Sequence, residues 1–128
     1  MKAEQSISLA PEAASARAAR LFVRLFLADP IPPPVAEIAV LLTSELVTNA
    51  FRHAGPHRGS DQFVLRVSST TNRVRVEVED HSVALPSVDD RGVDELSGRG
   101  MLLVDSLSSS WGVEPGTDGK KVWFAIDL

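Results

Sequence analysis

Three polar side chains with the chemistry to act on a phosphate group recur at four-residue spacing: Glu45, Asn49 and His53. Residues four apart in an α-helix lie on one face, so a helix through this segment aligns the three side chains. The carboxylate could orient or deprotonate a nucleophile, and the amide carbonyl is a hard oxygen ligand of the kind that Mg²⁺ prefers. A solvated helix edge is the simpler interpretation of this spacing taken alone.

A second candidate is Asp80, which ends a segment where Val74, Val76 and Val78 alternate with charged residues. This alternation predicts a strand with one packed and one solvated face, and Asp80 has the parity of the packed face. A carboxylate in that position needs a hydrogen-bond partner. The exocyclic amine of a bound base is one such partner, and a turn that the aspartate closes through its own backbone is the alternative.

The third candidate is the segment Ser97-Gly98-Arg99-Gly100-Met101-Leu102. We expect a short helix to begin near Gly100. Glycines at the start of a helix let backbone N–H groups approach an anion, which the helix N-terminus also attracts. Glycines of this kind also end loops for steric reasons, so the segment alone does not decide between phosphate binding and a loop end.

The elements that must position these residues follow from apolar periodicity and from proline and glycine positions. We predict, in chain order, an edge strand at 5–9, helices at 11–27 and 34–53, strands at 62–68 and 73–79, a surface loop at 81–97, the short helix from near residue 100 to the serines at 108–110, and strands at 111–114 and 121–128. A sheet with one polar face and helices with apolar faces combine into a two-layer α/β sandwich.

The first predicted helix has an apolar face and a basic face. The apolar face, which we expect to pack, comprises Ala14, Ala18, Leu21, Phe22, Leu25 and Phe26. Arg17, Arg20 and Arg24 share the other face, and a solvated surface is the default interpretation of such a basic stripe.

Composition excludes several classes of protein. The 128 residues, 44% of them hydrophobic and 23% charged, suit one globular domain spanning 1–128. A net charge of −4 argues against broad binding to nucleic acid, and the absence of cysteine excludes disulfides and thiolate metal sites. The N-terminus lacks the apolar core of a signal peptide, and no apolar run reaches about 18 residues. We therefore expect a cytoplasmic domain with no direct nucleic-acid or membrane partner.

Together and in this order, the three candidates resemble the GHKL ATPase superfamily, which includes gyrases, sensor histidine kinases and bacterial anti-sigma-factor serine kinases. Asp80 stands where the aspartate of the superfamily's first glycine box belongs, and Gly98-Arg99-Gly100-Met101 matches the second box. The segment that looks like the N-box is Glu45-Leu46-Val47-Thr48-Asn49-Ala50-Phe51-Arg52-His53-Ala54. The resemblance implies the Bergerat fold, an α/β two-layer sandwich with three helices on one face of a mixed, mostly antiparallel sheet.

The resemblance also implies ATP and Mg²⁺ as cofactors. Carried over by position, Glu45 would be the catalytic base, Asn49 the Mg²⁺ ligand, and Asp80 the acceptor of a hydrogen bond from the adenine amine. The other residues that the resemblance puts at the nucleotide are His53, Gly98, Arg99, Gly100, Met101 and Leu102.

The small size and the ending Gly119-Lys120-Lys121-Val122-Trp123-Phe124 resemble the anti-sigma-factor kinase branch. That branch implies transfer of the ATP γ-phosphoryl group to a serine of a small antagonist protein. It also implies that the arginines at 17, 20 and 24 contact an acidic surface on a sigma factor or on the antagonist, and it allows a homodimer. A histidine-kinase catalytic domain from a longer chain is a further alternative, which the start and end of the chain disfavour.

The chain departs from the family pattern at two places. His81-Ser82-Val83-Ala84-Leu85-Pro86 follows Asp80, so both glycines of the first box are missing. Lys120 and Lys121 stand where the family often has a threonine that helps to bind nucleotide. These differences favour an alternative function, a catalytically degenerate docking module of the same fold that regulates by binding alone, whereas the intact Glu45 and Asn49 favour the kinase.

Overall fold

The structure, a computed structural model, describes residues 2–52, 62–80, 95–115 and 119–128, with the backbone alone at 52 and 95–100. The described residues form the eight elements that the sequence predicts, in the order β-α-α-β-β-α-β-β. Their bounds are β1 (Ala3–Leu9), α1 (Ala14–Phe26), α2 (Pro33–Arg52), β2 (Phe63–Ser69), β3 (Arg73–Asp80), α3 (Glu95–Leu107), β4 (Ser110–Pro115) and β5 (Lys120–Asp127).

The five strands form one sheet in the order β1-β2-β3-β5-β4. Every described pairing is antiparallel, which corrects the prediction of a mixed sheet. The reason is the position of β5, which lies between β3 and β4. These two strands are connected through α3 and run in the same direction, but β5 separates them, so they never pair with each other.

The three helices and the sheet form the two predicted layers around one core. Helix α1 packs on β1 and β2, α2 lies against β3 and β5, and α3 packs beside α2 and β4. The strand residues facing the helices alternate with solvated ones, as expected for a sheet with one wet face. Those on β3 and β5 are Val74, Val76, Val78, Val122, Phe124 and Ile126, all of them buried.

Helix α1 buries a different face from the one that its sequence predicts. Ala19 and Val23 on the helix and Leu27 just after it are fully buried, whereas Leu21 and Leu25 are 54% and 67% exposed. Apolar residues cover more than half of the helix surface, so contact with α2 and the sheet decides which of them are shielded from water. The exposed leucines therefore lie beside the basic stripe rather than in the core.

The outer face of the sheet is covered by ion pairs rather than by helices. Glu77 is only 5% exposed because Arg66 and Arg75 both pair with its carboxylate, the latter at 3.1 Å between Nη1 and Oε1. The Arg75 guanidinium also stacks 4.8 Å from the ring centroid of Trp123. Gly112 also lies close to this ring, since a Cβ there would come within 3.1 Å of the indole. Trp123 is thus on the solvated face of the sheet but half-buried there.

Helix α2 has the length and composition of a membrane-spanning helix, with a mean hydropathy of 1.2 over Pro33–Phe51. This corrects the expectation that no segment is long and apolar enough to span a membrane. Half of that window is buried inside the protein, where α2 packs against α1, α3 and the sheet. The core helix of a globular domain meets the same criterion, so length and hydropathy here are weak evidence for a membrane.

The packing of α2 makes a direct prediction for two leucines on the same helix. Leu46 is 1% exposed and Leu41 is 42% exposed. We expect Leu46→Ala to lower the free energy of unfolding by about 2–5 kcal/mol because it leaves a cavity. The control, Leu41→Ala, should change it by less than about 1 kcal/mol. Urea denaturation measures both, and equal losses for the two variants would contradict this orientation of α2.

Candidate functional site

Helix α2 positions the first two polar residues of the candidate site. Glu45 and Asn49 lie one turn apart, as their spacing predicts, with Glu45 half-buried and Asn49 only 4% exposed. Leu46 and Ala50, next to them on the helix, are buried in the core, so the polar pair borders the packed side. His53, the third residue of the stripe, lies outside the described residues.

The side-chain amide of Asn49 is buried. Neither its Oδ1 nor its Nδ2 has a hydrogen bond within the described part of the chain. Thr43, fully buried on the same helix, donates its hydroxyl to the carbonyl oxygen of Ala39 at 2.7 Å. A buried polar group left unpaired costs about 1–3 kcal/mol. Asn49 therefore lowers the stability of the ligand-free protein, and its amide is chemically able to accept from or donate to a ligand atom.

Asp80 and Lys120 form a buried ion pair on the helix-facing side of the sheet. They are directly opposite each other in the antiparallel register of β3 and β5, so their side chains lie on the same face. The Lys120 Nζ donates to Oδ1 of Asp80 at 3.2 Å and lies 3.4 Å from Oδ2. The side chain of Lys120 is 2% exposed and that of Asp80 is 8% exposed. Burial on this scale is costly for either charge alone, so each one requires the other.

The direction of Asp80 is as predicted, but its partner is new. From the sequence, the expected partners of this carboxylate are an adenine amine or a local turn, and Lys120 stands out only as a departure from the family. Strand register is the signal that could have identified the pair. With Val78 opposite Val122, an antiparallel ladder extended by two residues puts Asp80 opposite Lys120.

Helix α3 begins five residues earlier than predicted, at Glu95 rather than near Gly100. Gly98 thus lies in the first helical turn, where N–H groups lack intrahelical acceptors, and Gly100 lies beyond it. Glycine disfavours helix by about 1 kcal/mol, which is why the sequence predicts a later start. Packing overrides that preference, because Met101 and Val104 are both fully buried on one face of α3.

The other residues predicted to contact the nucleotide differ in their exposure to solvent. Met101 belongs to the core, and Leu102 next to it is 46% exposed. The side chain of Arg99 lies outside what the structure describes. Within the described residues, no group of three or more His, Asp or Glu side chains could hold a metal ion by itself. Mg²⁺ commonly binds through one or two protein oxygens together with substrate phosphates, and the unpartnered Oδ1 of Asn49 fits that role.

Residues 9–126 match the family model of the histidine kinase-like ATPase domain. The chain belongs to this family. It is similar to the solved blue-light activated histidine kinase EL346 of Erythrobacter litoralis, at 27% identity and a TM-score of 0.60, over 90% of this chain and 41% of that one. It is also similar to a histidine kinase domain from the same protein, at 26% identity and a TM-score of 0.58, over 90% of this chain and 60% of that one. No curated protein matches the chain.

These matches confirm the resemblance to the GHKL superfamily and the α/β sandwich fold. The chain is a kinase-like domain of the GHKL type, a superfamily whose ATPase domains bind ATP, typically with Mg²⁺. It spans less than two thirds of either histidine kinase structure. Its phosphate acceptor and its partners are therefore matters for proposal.

The unpartnered amide predicts an unusual response to mutation. Asn49→Leu replaces it with an apolar group of related shape, so no hydrogen bond is lost in the ligand-free protein. We expect the free energy of unfolding to stay unchanged or to rise by up to about 2 kcal/mol. The control, Thr43→Val, removes the hydroxyl that donates to Ala39 and should lower it by about 1 kcal/mol.

Thermal unfolding without nucleotide measures both variants. If Asn49→Leu costs more than about 1 kcal/mol, the amide is hydrogen-bonded in the ligand-free protein and the argument for a ligand fails.

Proposed function

We propose that this protein binds Mg·ATP and transfers the γ-phosphoryl group to a serine of a small antagonist protein, as an anti-sigma-factor serine kinase does. The observation that carries the proposal is the buried, unpartnered amide of Asn49, one helical turn from Glu45. An oxygen ligand and a carboxylate base on one helix face are what phosphoryl transfer with a bound metal requires.

In this reaction, the serine oxygen of the antagonist attacks the γ-phosphorus and forms the new P–O bond. The bond between the γ-phosphorus and the β,γ-bridging oxygen breaks, and ADP leaves with that oxygen. Glu45 orients the serine hydroxyl and takes its proton. Asn49 Oδ1 would hold Mg²⁺ together with the phosphates, and the ion would neutralise charge on the phosphate oxygens. Asp80 lies at the end of β3 on the same side of the sheet and contributes to recognition of the base.

The basic stripe of α1 supports a contact with an acidic partner, either a sigma factor or the antagonist. Arg17 and Arg24 are exposed, and Arg24 pairs with Glu37 at 3.3 Å. Arg20 lies closer to the site, with Nη1 at 3.3 Å from the Ser44 hydroxyl oxygen, next to Glu45 in sequence. Ion pairs this exposed contribute little to folding, which leaves the arginines available to steer an acidic protein.

A second function is favoured by the ion pair of Asp80 with Lys120. A carboxylate that already holds an ammonium group has less capacity for an adenine amine, and the glycines that follow the aspartate in the family are absent. On this alternative the domain regulates a sigma factor or antagonist by docking alone. Under either proposal the protein acts in the cytoplasm, binds neither nucleic acid nor membrane directly, and is able to form a homodimer.

The kinase proposal predicts a separation of turnover from binding at Glu45. Glu45→Ala should reduce ADP release from Mg·ATP by about 10²–10⁴-fold, because general-base catalysis is lost, with nucleotide affinity nearly unchanged in a calorimetric titration. The control is Glu37→Ala on the same helix, whose exposed carboxylate pairs with Arg24 and should leave the rate unchanged.

Equal rates for Glu45→Ala and wild type would contradict the assignment of the base. A folded wild-type protein that binds its partner but releases no ADP would establish the docking module instead.

The partner surface predicts an effect on association rate. Reversing the charge of Arg17, Arg20 and Arg24 to Glu should slow binding to the proposed sigma-factor or antagonist partner and flatten its salt dependence. The melting temperature should change little. The control is Arg73→Glu, which removes an exposed ion pair with Asp127 at the other end of β3 from Asp80. Unchanged association kinetics with all three charges reversed would exclude this surface.

A further inference from the structure

Helix α1 exposes a row of apolar side chains with the spacing of a coiled-coil seam. Ala14, Ala18, Leu21 and Leu25 are all exposed, the two leucines at 54% and 67%. They are separated by four, three and four residues, as the a and d positions of a heptad repeat are. An apolar row of this regularity is typical of a helix that packs on another helix.

The row lies on a side of α1 that faces neither α2 nor the core. Arg20 and Arg24 mark the α2 side of the helix, since they contact Ser44 and Glu37. Going round the helix at about 100° per residue, the row lies between these arginines and Phe22, which packs against the core from the other flank. Because α1 packs on β1 and β2, and β1 is the outermost of the two, this flank lies above the outer edge of β1.

Strand β1 is an edge of the sheet that carries little protection against pairing with another strand. It pairs residue for residue with β2 over Ala3–Leu9, without a bulge, and Glu4 is its only charged residue over that length. Natural proteins usually protect such edges with charges, prolines or bulges. The opposite edge strand, β4, is one residue shorter and ends in Glu114 and Pro115. Within the part of the chain that the structure describes, β1 is therefore the edge better suited to accept a further strand.

We propose that a second copy of this chain docks on this edge. Strand β1 pairs antiparallel with β1 of the other copy, and the apolar rows of the two α1 helices pack against each other above the joined sheet. A single two-fold axis perpendicular to the sheet makes both contacts at once. The proposal rests on the proposed function only in naming the surface of the homodimer that this function allows.

The spacing of the two layers fits this arrangement. Paired strands lie about 4.8 Å apart, so the axis would run about 2.4 Å from β1. Helix α1 packs across β1 and β2, which puts its axis roughly another 2.4 Å away from the two-fold axis. The two α1 helices are then about 10 Å apart, which is within the range of about 8–10 Å at which helices pack. The strand contact and the helix contact can therefore form together.

Length and charge also favour a second copy over an unrelated partner. The seven residues of β1 and the thirteen of α1 each extend about 20 Å along this edge. In registers centred on Gln5 or Ser6, Glu4 lies opposite the uncharged Ser6 or Ser8, so no like charges face each other. Another protein would need an edge strand and an apolar helix face at matching spacing, whereas a second copy has both.

Light scattering on the full chain after size-exclusion chromatography tests the proposal. At about 100 µM, we expect the wild-type protein to have twice the 13.8 kDa mass of one chain. The double variant Leu21→Glu, Leu25→Glu brings charges into the helix contact and should raise the dimer dissociation constant at least about 100-fold. Both leucines are exposed in the single chain, so the variant should fold.

A second variant tests the strand contact. Ser6→Glu puts a carboxylate opposite Arg66 of β2 in the same chain, which tolerates it. Across the axis, this carboxylate faces Glu4 or its own copy, which should raise the dissociation constant by about tenfold. The matched control is Leu107→Glu, which changes a leucine that is 40% exposed on α3, near the opposite edge of the sheet, and should leave the dimer intact.

A wild-type protein that is monomeric at this concentration overturns the proposal, and an apolar partner segment becomes the occupant to seek. A dimer that either interface variant leaves unchanged, or that Leu107→Glu also dissociates, overturns this surface. Nucleotide binding and ADP release by the wild-type protein test the proposed function separately, so the two can fail independently.

Circular dichroism verifies that each variant is folded. If a variant is not, deuterium exchange of the wild-type protein replaces it. The amides of Ala3–Leu9 should exchange more slowly as protein concentration rises, because pairing with the second copy protects those at the outer edge of β1. Exchange that does not depend on concentration overturns the strand pairing.

Discussion

The packing of α2 against β3 and β5 is the interaction on which both the core and the candidate site depend. It buries Leu46 and Val47 among the valines of the sheet, and the same rotation of the helix buries Asn49. A helix cannot turn its polar residue outward without exposing its leucine, because the two lie within one turn. The free energy of apolar burial thus keeps an unsatisfied amide in the interior, at about 1–3 kcal/mol, and makes it available to a ligand.

The ion pair between the last residue of β3 and the first residue of β5 is the opposite case, because here the buried polar groups satisfy each other. Asp80 and Lys120 continue the buried parity of the valines beside them, so the sheet carries both charges into the interior. Either charge alone would be strongly destabilising there, whereas the pair compensates much of the desolvation. Asn49, whose amide has no partner among the described residues, and Asp80, which has Lys120 as its counter-ion, therefore lie on the same side of one sheet.

Local sequence patterns predicted most of the fold. The errors occur where the structure is determined by contacts between residues far apart in sequence. Element order follows from period-2 and helical spacing, which are properties of neighbouring residues. The buried face of α1 does not follow from this spacing, because Val23 and Leu25 are both apolar. Only contact with the rest of the protein determines that Val23 is buried and Leu25 is exposed. The start of α3 depends on burial of Met101, which outweighs two helix-disfavouring glycines. The partner of Asp80 depends on strand register, and predicting β5 one residue too late concealed Lys120.

The difference between the two polar features bears on how a nucleotide would bind. At Asn49, a ligand oxygen or metal ion relieves a cost that the folded protein already carries, so contacts there add to affinity. At Asp80, the carboxylate is already satisfied in part, so a base exchanges one set of contacts for another and gains less. Affinity should then arise mainly from the phosphate and metal end of the nucleotide. If the domain is the proposed kinase, binding energy taken from the phosphates would retain the interactions that act on the transferred group, even without the glycines that follow the aspartate in the family.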